Sequence, residues 1–183
     1  MPRCTKCKEK FEPKTFNRKF CYKDECNDAY FEFLKAQAIK KAEQDKRKHK
    51  KENKRKQDYE KDLERVFNEF IRLRDKDEPC ISCDKPPNQF KLTAGHYFPA
   101  GSNKSVRFDE NNVHGQCWFN CNKNQHGNLS EYQPRLVKKI GQEAFDELSR
   151  KRHEKRGYTI PELQELIVVY KEKVKKLKNS SAD

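Results

Sequence analysis

Eight cysteines fall into four close pairs along 183 residues: Cys4 with Cys7, Cys21 with Cys26, Cys80 with Cys83, and Cys117 with Cys121. Each spacing closes a tight knuckle around half the coordination sphere of a tetrahedral zinc ion, so two pairs make one complete site. The expected structural zinc sites are therefore Cys4, Cys7, Cys21 and Cys26, and Cys80, Cys83, Cys117 and Cys121. Within and just beyond the second set stand the other residues able to do chemistry. They are His96 in the stretch AGHYFPAGSN, then Asn112 and His114, then Asn122 and His126. A histidine gains or loses a proton near neutral pH and also ligates metals, which makes this set the candidate reaction centre. His49 and His153 sit in charged runs and are expected to be solvated.

The formal net charge is +13, and it is uneven. From Lys35 to Lys56 the chain carries eleven Lys or Arg against three acids, an excess of +8. Such a run suits a polyanion, nucleic acid first. The expected phosphate contacts are Lys40, Lys41, Lys46, Arg47, Lys48, Lys50, Lys51, Lys54, Arg55 and Lys56. Between Lys35 and Lys56 only Ala36, Ala38, Ile39 and Ala42 are apolar, too little to insert into lipid and too little for coiled-coil heptads. No stretch is long and apolar enough to span a bilayer. The opening MPRCTKCKEK lacks the apolar core of a secretory signal. The expected location is the reducing cytoplasm, where paired cysteines hold metal rather than form disulfides.

These residues need a scaffold, and the composition limits it. Only 33% of residues are hydrophobic and 39% are charged, so the compact units must be small and stapled. Residues 1–27 read as a zinc finger with Phe11, Phe16 and Phe20 as its core; it resembles small treble-clef-like fingers. Residues 28–77 read as a long basic helical segment. From residue 27 to 76 there is no proline or glycine, so the stretch reads as helix throughout, up to a single long one. Tyr59, Leu63, Val66, Phe67, Phe70 and Ile71 form an apolar stripe there, expected to bury itself against the third region, residues 78–183. In that region KSVRFD reads as a strand and Ser130 as the cap of EYQPRLVKKI. GQEAFDELSRKRH reads as a continuing helix beyond Gly141. Thr159 and Glu162 form a capping box that opens a last helix lined by Leu163, Leu166, Ile167, Tyr170, Val174 and Leu177. The fold class is α+β, helix-rich.

The order of a knuckle, His96, Asn112, a second knuckle and then Asn122 and His126 resembles the HNH, or ββα-metal, nucleases. The resemblance implies a zinc-stapled ββα-metal core in which His96 is the general base and Asn112 orients it. Asn122 or His126 would ligate a catalytic Mg2+ or Mn2+, with His114 as a further candidate. Two departures stand out. Gly95 occupies the position where many members carry an aspartate ligand, for which His114, Asp109 or Thr93 are candidate replacements. The second knuckle also has three residues between its cysteines, Trp118, Phe119 and Asn120, instead of two. RFDENNVHGQC and CNKNQHGNLSEYQPRLVKKIGQEAFDEL resemble more closely the NinG (Rap) recombination proteins of lambdoid phages, over about Cys80 to Leu148. That resemblance implies a structure-selective endonuclease for branched DNA such as four-way junctions and D-loops, in the host cytoplasm if phage-encoded. Resolving a junction takes two cuts, so a homodimer is expected, with recombination proteins as further partners. The alternative is a zinc-finger protein that binds DNA or RNA without cutting it.

Overall fold

A computed structural model describes residues 1–154 and 157–180, with side chains at residues 50 and 51 left out of the description. The chain divides into two compact units, Met1–Lys54 and Arg55–Asp183. The helical stretch is therefore broken: α1 runs Asp24–Glu52 and α2 runs Lys56–Arg74. The break has a local cause. The Arg55 N–H donates to Asp58 Oδ2 at 3.0 Å, so Asp58 caps a new helix where a continuous one was expected. The unit boundary accordingly falls at Lys54/Arg55, and α2 belongs with the third sequence region.

The first unit is built on metal-type knuckles. Phe11 and Phe20 are buried with Cys4, Cys21 and Cys26. Phe16, expected in this core, is 96% exposed. Its place is taken by Tyr30 and Phe33 from the start of α1, and the Phe20 and Phe33 rings lie 5.6 Å apart. Arg18 lies against both Tyr22 and Tyr30, 4.3 and 4.1 Å from the ring centres, and ties the finger to α1 through Asn27 Oδ1. Beyond Phe33, residues 34–49 of α1 are exposed on every side. Its 29 residues extend about 44 Å at 1.5 Å each.

The second unit holds the sheet. Strands β1 (Leu92–His96) and β2 (Val113–Cys117) pair antiparallel, with Leu92 opposite Cys117 and His96 opposite Val113. One side of this hairpin packs on α2, and α2 packs in turn on the last helix, α5 (Ile160–Asn179). There Leu63, Val66, Phe67, Phe70 and Ile71 meet Val113, Leu163, Tyr170 and Val174, with Ala94 against them. The apolar stripe expected in α2 is thus buried as its spacing required. The other core joins Ile81, Tyr97, Phe98 and Val106 to Tyr132 and Leu136 of α3 (Leu129–Ile140) and Leu148 of α4 (Gln142–Lys151).

Three local expectations change. KSVRFD is not a strand: Lys104–Val106 is a single 3-10 turn within the loop joining the strands. Val106 and Phe108 are both buried and so imitate strand alternation, but the turn lets each enter a different core. Ser130 lies inside α3, whose cap position is Asn128 in a left-handed conformation. Helix does resume beyond Gly141, but as the separate α4, because Gly141 takes φ +86°. Thr159 caps α5 as expected, accepting from the Glu162 N–H while Glu162 reaches back to the Thr159 N–H at 2.7 Å.

Candidate functional site

The two cysteine sets share one construction. In each, the first cysteine's N–H donates to a carbonyl five residues on, Cys4 to Glu9 at 2.8 Å and Cys80 to Lys85 at 2.9 Å. The residue after the second cysteine is left-handed, Lys8 at φ 62° and Asp84 at φ 53°, and its N–H returns to the first cysteine's carbonyl. A partner-knuckle amide then donates to the first sulfur: Cys21 N–H to Cys4 Sγ at 3.3 Å, and Cys117 N–H to Cys80 Sγ at 3.2 Å. The ligand atoms of each set all lie within 4.8 Å of one another. Sulfur pairs at 3.6 Å (Cys7 and Cys21), 3.8 Å (Cys80 and Cys121) and 3.4 Å (Cys83 and Cys117) are far beyond a disulfide's bond. They match the edge of a zinc tetrahedron, about 3.8 Å for zinc–sulfur bonds of about 2.3 Å. The residues present thus fit two structural zinc ions.

His96 ends β1, on the same side of the hairpin as Ala94 and Val113, facing α2. Its Nε2 lies 2.9 Å from the Arg107 carbonyl. A carbonyl only accepts, so Nε2 carries the hydrogen and the neutral ring keeps its lone pair on Nδ1. Burial pulls the imidazole below its usual value, outweighing the raising effect of that hydrogen bond, and so favours the neutral form. Arg107 also reaches α2, with its guanidinium 2.9 Å from Glu64 and 3.7 Å from Glu60. It lines a cleft of about 180 Å³ together with Lys56, Glu60, Lys104 and Tyr158. Lys104 and Arg107 went unnoticed in the sequence, where nothing local connects them to Lys56.

Asn112 is fully buried beside His96. Its Oδ1 accepts from the Phe98 N–H at 2.8 Å, and its Nδ2 donates to the Phe98 and Val106 carbonyls at 3.1 and 2.9 Å. The loop that follows His96 is thereby clamped from within.

The expected cation ligands are arranged differently. Strand alternation puts Gly95, His114 and Gln116 on the side of the hairpin opposite His96. A Cβ on Gly95 would stand 2.4 Å from Gln116 Oε1, so the place expected for an aspartate ligand is already filled. Gln116 was missed in the sequence. It is fully buried and donates through Nε2 to the Gly127 carbonyl at 2.6 Å, which leaves Oε1 to accept from Asn122 Nδ2 at 3.0 Å. His114 is 2% exposed and pushed down to about 3 by burial, with Arg74 adding to the effect. Its Nδ1 lies 3.3 Å from the Tyr132 hydroxyl, which itself donates to the Gly95 carbonyl at 3.0 Å. Asp109 is turned toward Lys151 and accepts from the Asn111 N–H at 2.9 Å. Thr93 pairs with Gln116 across the hairpin. His126 is exposed in a left-handed turn at φ 48°. Among the described residues, only the two cysteine sets bring three or more His, Cys, Asp or Glu ligand atoms together. The side chains around Gly95 do not fit a carboxylate-held Mg2+ or Mn2+.

Of the expected phosphate contacts, Lys40, Lys41, Lys46, Arg47 and Lys48 are exposed along α1. Lys54 and Arg55 lie in the break, Lys56 begins α2, and the side chains of Lys50 and Lys51 lie outside the described residues.

The family model described as "Bacteriophage Lambda NinG protein" matches residues 1–180. Among curated relatives, "Protein ninG" of Escherichia phage 933W and of Escherichia phage lambda are each 39% identical over 123 residues, 67% of this chain. "Protein ninG" of Salmonella phage P22 is 37% identical over the same length. These matches span about 60% of the relatives' own length. No solved structure matches the chain. With both cysteine sets inside the matched span, the chain belongs to the NinG family of phage proteins.

Proposed function

We propose that this protein is an endonuclease that hydrolyses phosphodiester bonds in branched DNA, with His96 as the general base. The observation that carries this reading is the state of His96. Its Nε2 is committed to the Arg107 carbonyl, burial favours the neutral ring, and Asn112 clamps the loop that follows. Nδ1 is then the atom that takes a proton from the attacking water. Lys104 and Lys56 line the cleft beside Arg107, whose own charge is met by Glu60 and Glu64, and offer positive charge to a phosphate, while the exposed lysines and arginine of α1 supply longer-range attraction. A junction needs two cuts, so the active form in this reading is a dimer.

The test is incubation of the full chain with labelled four-way junction, D-loop and linear duplex, with and without Mg2+ or Mn2+. His96→Ala should bind junctions as the wild type does and lose cleavage by roughly 10²–10⁴-fold. Wild-type cutting by His96→Ala would place the reaction elsewhere. A second reading is favoured by Gln116, which fills the position of the expected carboxylate ligand. In that reading the protein binds branched DNA through zinc-stapled units without cutting it. Junction binding with no cleavage under any divalent cation would select it.

A further inference from the structure

The extra residue of the second knuckle has a structural consequence. Residues Trp118–Asn124 form a wide π-helical turn, closed by an N–H bond from Gln125 back to the Asn120 carbonyl at 3.2 Å. π-Turns are rare and recur at functional sites. Here the turn leaves two large aromatic side chains in solvent between buried zinc ligands. Trp118 is 40% and Phe119 57% exposed, whereas Cys117 and Cys121 are 1% and 0% exposed. The rings are inclined by only 31°, with centres 6.3 Å apart. The mount is tied at several points, because the Trp118 N–H donates to the Lys91 carbonyl at 2.9 Å and both flanking cysteines belong to the same four-sulfur set.

Two ammonium groups stand over these rings. Lys91 and Lys123 lie 5.6 and 5.2 Å from the centre of Trp118, and Lys123 lies 6.0 Å from that of Phe119. Both lysines are exposed, and among the described residues neither is drawn into an ion pair. Flat apolar rings covered only by flexible, unneutralised ammonium groups, which a phosphate can draw aside, suit a ligand that alternates π-faces with negative charge. Within a chain of net charge +13 that ligand is nucleic acid, and duplex bases are already stacked on one another.

We propose that Trp118 and Phe119 form a stacking platform for unpaired bases of single-stranded DNA, with Lys91 and Lys123 holding the adjoining phosphates. The platform follows Cys117, which is opposite Leu92, while His96 is four residues along the same strand. The separation is about 14 Å along the hairpin. A D-loop offers unpaired bases in its displaced strand, so the platform would favour such DNA over plain duplex whether or not His96 cuts it.

Trp118 is the only tryptophan, so its emission reports this site alone. The full zinc-loaded chain is titrated, without added Mg2+ or Mn2+, with a short single-stranded oligonucleotide and with the matching duplex. The single strand should quench Trp118 to saturation and the duplex should leave it nearly unchanged. Phe119→Ala and Trp118→Ala, the latter followed by fluorescence of a dye on the oligonucleotide, should each weaken single-strand binding by roughly 5- to 150-fold. Both positions are exposed, and retained zinc content verifies their folding. Phe119→Ala by itself keeps the test decisive if Trp118→Ala loses zinc. Single-strand binding without quenching, equal quenching by duplex, or wild-type affinity in the folded variants would overturn the platform. Because no cleavage is measured, failure here is separable from failure of the nuclease reading.

Discussion

Asn112 does for Phe98 what a β2 backbone would do if the sheet continued: its Oδ1 takes the Phe98 N–H and its Nδ2 meets the Phe98 carbonyl. The Tyr97 N–H donates to the Asn112 carbonyl at 2.9 Å, so one residue holds both positions after His96. Asn112→Ala would leave the Phe98 amide and the Phe98 and Val106 carbonyls without this partner in a buried site. The expected loss of stability is about 3 kcal/mol, read as a lower urea midpoint with unchanged slope. Asn112→Asp, which cannot donate when ionised, should not restore it. A change within about 0.5 kcal/mol for Asn112→Ala would mean that water replaces the clamp.

The repeated knuckle predicts zinc stoichiometry. Chelator-washed, folded protein should hold about two zinc ions per chain, and Cys26→Ser should bring this to about one. Because Cys26 belongs to the first unit, the emission of Trp118 in the second should not change. Cys121→Ser should also remove about one zinc, but with a shift of Trp118 emission, since Trp118 lies within its knuckle. Loss of both metals from either single variant would show that the two sites are not independent.

How well each part could be read in advance follows from how local its cause is. The cysteine sets are fixed by spacings of a few residues, and the α2 and α5 stripes by helical period, so both were legible. The break before α2 rests on one Asp58 side chain within a run of strong helix formers, and composition outweighed it. Gly95 reads in sequence as a missing ligand. Its actual environment depends on Gln116, which is 21 residues away and reaches it only through hairpin register. Such a long-range fit has no local signature. The exposed Phe16 shows the reverse, an aromatic residue assigned to a core that α1 fills instead.

The arm of α1 predicts a salt dependence. Lys40, Lys41, Lys46, Arg47 and Lys48 are exposed on a helix whose residues 34–49 are all exposed. Each lysine or arginine that meets a phosphate releases counterion, at a slope of about −0.9 per contact for B-DNA. Replacing Lys46, Arg47 and Lys48 by Gln should therefore flatten the plot of log affinity against log salt by up to about 2.7. Zinc content should remain unchanged. An unaltered slope would mean that the arm is not the DNA contact.

His114 predicts acid sensitivity, and the sign follows from its environment. Burial first, then the neighbouring Arg74, hold the folded pKa at about 3, while an unfolded histidine titrates near 6.5. Between these values the unfolded chain binds a proton that the folded one refuses. The full contribution is thus present above about 6.5 and is lost as pH falls toward 3. Each unit of pH in that window removes up to about 1.4 kcal/mol, or about 2 kcal/mol between pH 6.5 and 5. Acid also displaces zinc and protonates His96, so the wild type must be compared with His114→Gln, which keeps a donor toward Tyr132 but does not titrate. The variant should be less stable than wild type at pH 7.5 and should lose less on acidification to pH 5. Parallel curves for the two proteins would show that His114 takes up its proton without leaving the fold, and the chain from His114 through Tyr132 to the Gly95 carbonyl would then tolerate a charged ring.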